Sequence, residues 1–184
     1  MKYIIMNKEM SGLILNNKKT ETRRVVGEVE VDIFKCPKYK VGEELWLREP
    51  IKIIKINNDK MTIEYKSDKE IRELEIPERF LSKERPKWLK EGKSIPNGCS
   101  KEMSRAILRI TKVKSENLQD IDDMGIQAEG IRAPIPNMWS ENTRKEYRKR
   151  EWIKLWNKVS KNGFKWGDNP MVFVYKFKVL KKEK

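Results

Sequence analysis

The sequence predicts an α+β fold, and three features predict it. Alternation with a period of two recurs along the chain: Leu45 and Leu47 against Trp46 and Arg48, then Ile107, Arg109, Thr111 and Val113 against Ala106, Leu108 and Ile110. It returns in residues 171–180, where Met171, Phe173, Tyr175, Phe177 and Val179 share one side. Helical spacing appears elsewhere: Met10, Leu13, Ile14 and Asn17 share one face, and so do Trp152, Leu155, Trp156 and Val159. The chain has 184 residues and no internal repeat, the size of one domain with a real core.

In order, Tyr3 to Met6 reads as a strand and Asn7 as the cap of the helix that follows. Asn16-Asn17 ends that helix, because Asn tolerates the left-handed conformation of a C-terminal cap. Residues 25–34 are weakly extended with a break at Gly27, and a Cys36-Pro37…Gly42 turn leads into the 44–49 strand. Pro50 marks a bulge or strand end, since it cannot donate to a ladder. Residues 52–56 and 61–65 form a hairpin around Asn57-Asn58-Asp59. Residues 67–100 are charged and broken by Pro77, Pro86 and Pro96, so they read as an insertion or long loop that Trp88 pins to the body. Residues 103–113 resume strand character. Residues 118–129 form a short helix, acidic at its start and ended by Gly130, which leaves Glu129 at a terminus where the helix dipole disfavours a carboxylate. Residues 133–136 are a loop, Ser140 opens a long helix to about Lys161, and a basic tail follows the last strand. The Trp152/Trp156 pair lies on the apolar stripe and belongs to the core.

Composition narrows the chemistry. Lys and Arg total 42 against 28 Asp and Glu, a formal charge of +14, which suits a polyanion such as nucleic acid. There is no histidine, which excludes imidazole bases, histidine triads and most catalytic zinc sites. Acid–base work then falls to Glu, Asp, Lys, Tyr or Cys. Cys36 and Cys99 are far apart and form no metal-binding pair, so two free thiols in a reducing cytoplasm are expected, with no metal and no cofactor. No apolar N-terminal segment is long enough for a signal peptide or membrane helix, and the expected state is a monomer.

The densest stretch is Lys18-Lys19-Thr20-Glu21-Thr22-Arg23-Arg24, two hydroxyls, a carboxylate and four cations directly after the first helix. As extended chain it puts Thr20, Thr22 and Arg24 on one side and Glu21 and Arg23 on the other, with Lys19 at the corner. Residues 15–24 resemble the signature of the ASCH domain, a PUA-like β-barrel family: Leu15, then Lys19-Thr20-Glu21-Thr22 and an Arg, with Asn17 where the family usually has Gly. Further landmarks follow in the family's order. They are the Gly42-Glu43 turn before Trp46-Leu47-Arg48-Glu49, then Ser104-Arg105, then Ala128-Glu129-Gly130, and Asn169-Pro170 before the closing aromatic strand. The Cys36-Pro37, Trp-x-Arg-Glu and Ser-Arg features are similar to phage-type members. Residues 67–100 have no counterpart in the resemblance.

The resemblance implies a mixed or antiparallel PUA-like barrel with flanking α-helices over residues 1–184. It implies binding of RNA or a modified nucleoside, with Lys18, Arg23, Arg24, Trp46, Arg48 and Arg105 as candidate contacts. Some small members are amidohydrolases of N4-acylated cytidine, and others have been assigned ribonuclease activity. The amidohydrolase trio maps by motif onto Lys19, Thr22 and Glu129. A threonine hydroxyl is a poor nucleophile until a base takes its proton, and a lysine serves as that base only with a lowered pKa. Lys18, Arg23 and Arg24 are cationic neighbours that lower it; an anionic Glu129 raises it and makes the trio an anion-binding or orienting site. Glu129 could instead orient Lys19, place a water or protonate the leaving amine. Whether Lys19 or Thr22 attacks stays open at the level of sequence.

Overall fold

The computed structural model describes residues 1–26, 36–81, 86–96, 98, 100–134, 139–160 and 163–182. Its elements are β1 (Lys2–Ile5), α1 (Lys8–Leu15), β2 (Glu21–Val25), β3 (Glu44–Arg48), β4 (Ile51–Asn57), β5 (Lys60–Tyr65), β6 (Ile71–Glu75), β7 (Ser94–Ile95), β8 (Ala106–Asn117), α2 (Asp123–Ala128), α3 (Glu141–Val159) and β9 (Met171–Lys182), with short 3-10 turns between them. The chain is α+β, as its patterning predicts. It divides into two compact units, each assembled from separate stretches: residues 1–16, 44–108 and 179–184, and residues 17–43 and 109–178.

In the first unit β1 runs parallel to β3, with Tyr3 opposite Trp46 and Ile4 opposite Leu47, and β3 neighbours the start of β8. A four-stranded antiparallel sheet lies in the same unit in the order β6-β5-β4-β7. The Asn57-to-Asp59 hairpin forms as its residues dictate, with Asn58 at φ 51° in the turn. The core of this unit gathers Ile51, Ile53, Met61, Ile63, Tyr65 and Met103, with Trp88 partly buried against them. In the second unit β8, β9 and β2 are neighbours in that order, and β2 is antiparallel to β9 with Thr22 opposite Tyr175. Its core holds Val172 and Val174 of β9, Leu118, Ile126 of α2, and Trp152 and Trp156 of α3.

Local capping follows the sequence closely. The Asn7 side chain accepts from the Met10 amide at 2.8 Å, and the Ser140 hydroxyl accepts from the Thr143 amide at 3.2 Å. Asn17 adopts φ 56°, which explains how it stands where a Gly is usual.

Several expectations need correction. Neither sheet closes into a barrel; among the described residues the ladders stay open at their ends. Residues 67–100 are not simply a loop, because they supply β6 and β7, two of the four strands of the antiparallel sheet. β6 is exposed at alternate positions, so it carries charges where a buried strand would carry aliphatics. The long helix stops at Val159, which is exposed rather than on the apolar face. β9 extends to Lys182, into the expected tail. Most of the expected extended segment before Phe34, together with Cys99, lies outside the described residues. Cys36 is an exposed free thiol. Among the described residues no helix is long and apolar enough to cross a membrane.

Candidate functional site

The second unit buries a charged network at the start of β2. The Thr20 amide donates to the Ala128 carbonyl at 2.8 Å, which sets the corner before β2 beside the end of α2. Lys19 and Glu129 therefore meet although 110 residues separate them, and the Lys19 ammonium donates to a Glu129 carboxylate oxygen and to the Glu129 carbonyl. Both are almost fully buried, Lys19 at 2% exposure and Glu129 at 3%. Arg23 completes the cluster. Its Nη1 reaches Glu129 Oε1 at 3.2 Å, its Nε reaches Glu116 at 2.9 Å, and its Nη2 lies 2.9 Å from Glu21. Glu116 is met again by Lys114, and Lys176 lies 3.2 Å from Glu21. Gly125 of α2 leaves room for this guanidinium: a Cβ there would stand 2.9 Å from Arg23 Nη2.

The electrostatics decide how the pair can act. A carboxylate at the C-terminal end of α2 opposes the helix dipole, and Lys19 and Arg23 offset that cost. Burial pushes the Lys19 ammonium below the ordinary lysine range, and it prevails over Glu129, which pulls the other way; Arg24 and Arg23 add to the lowering. Lys19 thus gives up its proton more readily than an ordinary lysine, with a carboxylate in hydrogen-bond contact.

The predicted site residues separate into three groups. Lys19, Glu129 and Arg23 come together. Thr22 is buried in the β2–β9 ladder opposite Tyr175, and among the described residues its side chain makes no hydrogen bond. Lys18 and Arg24 are exposed on either side of the network in sequence. Arg105, Trp46 and Arg48 belong to the first unit. Arg105 is a correction: it is 3% exposed and all five of its N–H donors are taken, by Glu49 twice, Ser67, Asp68 and Glu70. Its guanidinium also sits 3.8 Å from the Tyr65 ring centre. It organises the protein and offers nothing to a phosphate. Trp46 is buried against Tyr3 at 5.4 Å, and Arg48 lies over the same Tyr3 ring at 4.9 Å. Among the described residues no cluster of three or more His, Cys, Asp or Glu side chains could hold a metal ion.

No family model and no curated protein matches the sequence. Among solved structures the chain is similar to protein EF3133 of Enterococcus faecalis V583, described under the family model DUF984, at 12% identity and a TM-score of 0.50, covering 100% of this chain and 83% of that one. The chain shares the fold of EF3133. A looser likeness, TM-score 0.38 at 13% identity, links 97% of it to 77% of an ASCH domain from Lactobacillus crispatus JV V101. The likeness to EF3133 is one of architecture at an identity where individual side chains are free to differ, so the roles of Lys19, Arg23 and Glu129 rest on their own geometry.

Sequence reasoning missed two sets of partners. Glu21 and Glu116 close the Arg23 network, and only the alternation of β2 hinted at Glu21 by placing it on the side of Arg23. Phe80, Trp88, Arg79 and Lys101 line a cavity with Trp46 and Arg48. All four lie in or just after the stretch whose proline breaks masked its strands.

Proposed function

We propose that the protein binds RNA or a related nucleotide polyanion through exposed cations of the second unit. The observation that carries this reading is how its charge is distributed. The buried cations Lys19 and Arg23 are matched by carboxylates, while Lys18 and Arg24 and, on β8 and β9, Lys112 and Lys178 are exposed. The excess of +14 is therefore presented at the surface, where a phosphate backbone neutralises it and releases counterions. Fluorescence anisotropy of a labelled single-stranded RNA tests this. Affinity is expected to fall steeply between low and moderate salt, and absence of binding even at low salt would reduce the charge to mere composition.

One observation favours a second reading, an amidohydrolase acting on an N4-acylcytidine-type nucleoside. Lys19 gives up its proton more readily than an ordinary lysine and touches Glu129, a base and an acid held together. In that reading Lys19 takes the proton of the attacking group, Glu129 returns it to the leaving amine, and Arg23 fixes the Glu129 carboxylate. Thr22 makes no hydrogen bond to them, and the nucleophile in this reading is its hydroxyl or a water. Incubation with N4-acetylcytidine is the test. Turnover lost by about 100-fold or more in Glu129→Gln supports this role; turnover unchanged in that variant moves the chemistry elsewhere, and none in the parent protein leaves binding as the function.

A further inference from the structure

The first unit contains a cavity of about 340 Å³ lined by Trp46, Phe80 and Trp88 together with Arg48, Arg79 and Lys101. That volume is at the lower end of small-molecule sites, which run from roughly 300 to 1,000 Å³. Its walls combine two chemistries. Phe80 meets Trp88 edge-on at 5.1 Å, and Trp46 lines the same hollow from the core of the antiparallel sheet. Three cations share the space with one nearby carboxylate: Arg79 is held by Glu102 through two hydrogen bonds of 2.8 and 2.7 Å. Arg48 is different. Among the described residues its Nε is buried with no hydrogen-bond partner, and no carboxylate pairs with its guanidinium. An unpaired buried N–H costs free energy, so Arg48, unlike Arg79, is a guanidinium that no carboxylate of the described residues satisfies.

The backbone helps hold Arg48 in that state. Gly98 has φ 107°, a conformation that L side chains rarely adopt, and a Cβ on it would fall 2.1 Å from Arg48 Cγ. The arginine stem therefore lies directly on the glycine, and its guanidinium lies over the Tyr3 ring.

We propose that this cavity binds one nucleotide unit, its base packed among Trp46, Phe80 and Trp88 and its phosphate held by Arg48 with Lys101. Aromatic walls accept any base because every base has a π-face, and a guanidinium pairs with phosphate oxygens through charge-assisted hydrogen bonds. The inference deepens the nucleic-acid reading, because it supplies a discrete pocket where that reading supplies a charged surface, and it places the pocket in the unit that does not contain Lys19 and Glu129.

Tryptophan emission of the intact protein reports on it, since Trp46 and Trp88 line the cavity. The titrants are uridine 5′-monophosphate, adenosine 5′-monophosphate, the two nucleosides and inorganic phosphate. Saturable quenching by both mononucleotides is expected, at least about 10-fold tighter than by a nucleoside or by phosphate alone. Arg48→Gln is expected to weaken it by about 10-fold and Lys101→Gln by about 3-fold, while Lys158→Gln, at an exposed position of α3, leaves it unchanged. Circular dichroism establishes that each variant is folded; should Arg48→Gln not fold, the exposed Lys101→Gln carries the comparison. Quenching indifferent to both variants, phosphate binding as tightly as the mononucleotides, or no saturable quenching at millimolar ligand overturns the proposal. RNA anisotropy on the same samples separates the two readings: salt-sensitive RNA binding without mononucleotide quenching removes the pocket and keeps the surface, and loss of both signals removes both.

Discussion

At the residue scale, the described residues include three buried arginines, Arg23, Arg105 and Arg148, and each is satisfied by carboxylates. Arg23 is held by Glu21, Glu116 and Glu129, and Arg105 by Glu49, Asp68 and Glu70. Taking one partner from such a group leaves a buried charge unmatched, which costs on the order of 3–5 kcal/mol. Arg105→Met should therefore destabilise by about that much, and Arg105→Lys should recover little of it, since an ammonium cannot reproduce the planar fork on Glu49. Urea unfolding of the two variants checks this, and an Arg105→Met midpoint equal to the parent's would remove the structural role. Lys19→Met should fall at the lower end, about 3 kcal/mol, because Arg23 still faces Glu129. Its exposed neighbour serves as the control, with Lys18→Met within about 0.5 kcal/mol.

At the element scale, the corner between α1 and β2 is what carries Lys19 to Glu129, and its geometry turns on Asn17. With φ at 56°, Asn17→Gly should be neutral within a few tenths of a kcal/mol, whereas Asn17→Val should cost about 1–2 kcal/mol. Thermal melting distinguishes the two, and equal behaviour would mean the corner does not depend on the left-handed residue. This corner was legible in the sequence because local rules govern it: a helical face, an Asn stop and an extended basic run. So were the α2 terminus at Gly130 and the aromatic side of β9. That the sheets stay open was not legible, because closure depends on which edges meet across long separations, and no local pattern encodes that. β6 and β7 were missed for a related reason: β6 is an edge strand whose charged residues mimic a loop, and β7 is two residues long. The Arg105 cluster was missed because an arginine read alone suggests a phosphate, and its partners lie 35 to 56 residues away.

At the scale of the whole molecule, charge controls both stability and binding. Burial pushes Asp68, Glu70 and Asp123 upward, but Arg105, Arg72 and Arg148 outweigh it and hold the three carboxyls below the ordinary range. Arg79 holds Glu102 down, at about 2 against an ordinary 4.5. Depressed carboxyls bind protons more readily when the chain is unfolded, so their stabilisation is present above about pH 4.5 and drains away as pH falls toward 2. Melting temperature should be flat near neutrality and decline through that acid window; a decline that begins above pH 6 would point to other groups. The proposed RNA binding rests on exposed cations outside the buried carboxylate network, and the most direct measurement of that claim is the salt dependence of RNA affinity for the parent protein and for a Lys18→Gln/Lys112→Gln/Lys178→Gln triple variant. Each phosphate contact on a single strand contributes about 0.7 to the slope of log K against log salt, so loss of three contacts should flatten it by about 2. A slope unchanged in the folded triple variant would contradict the account.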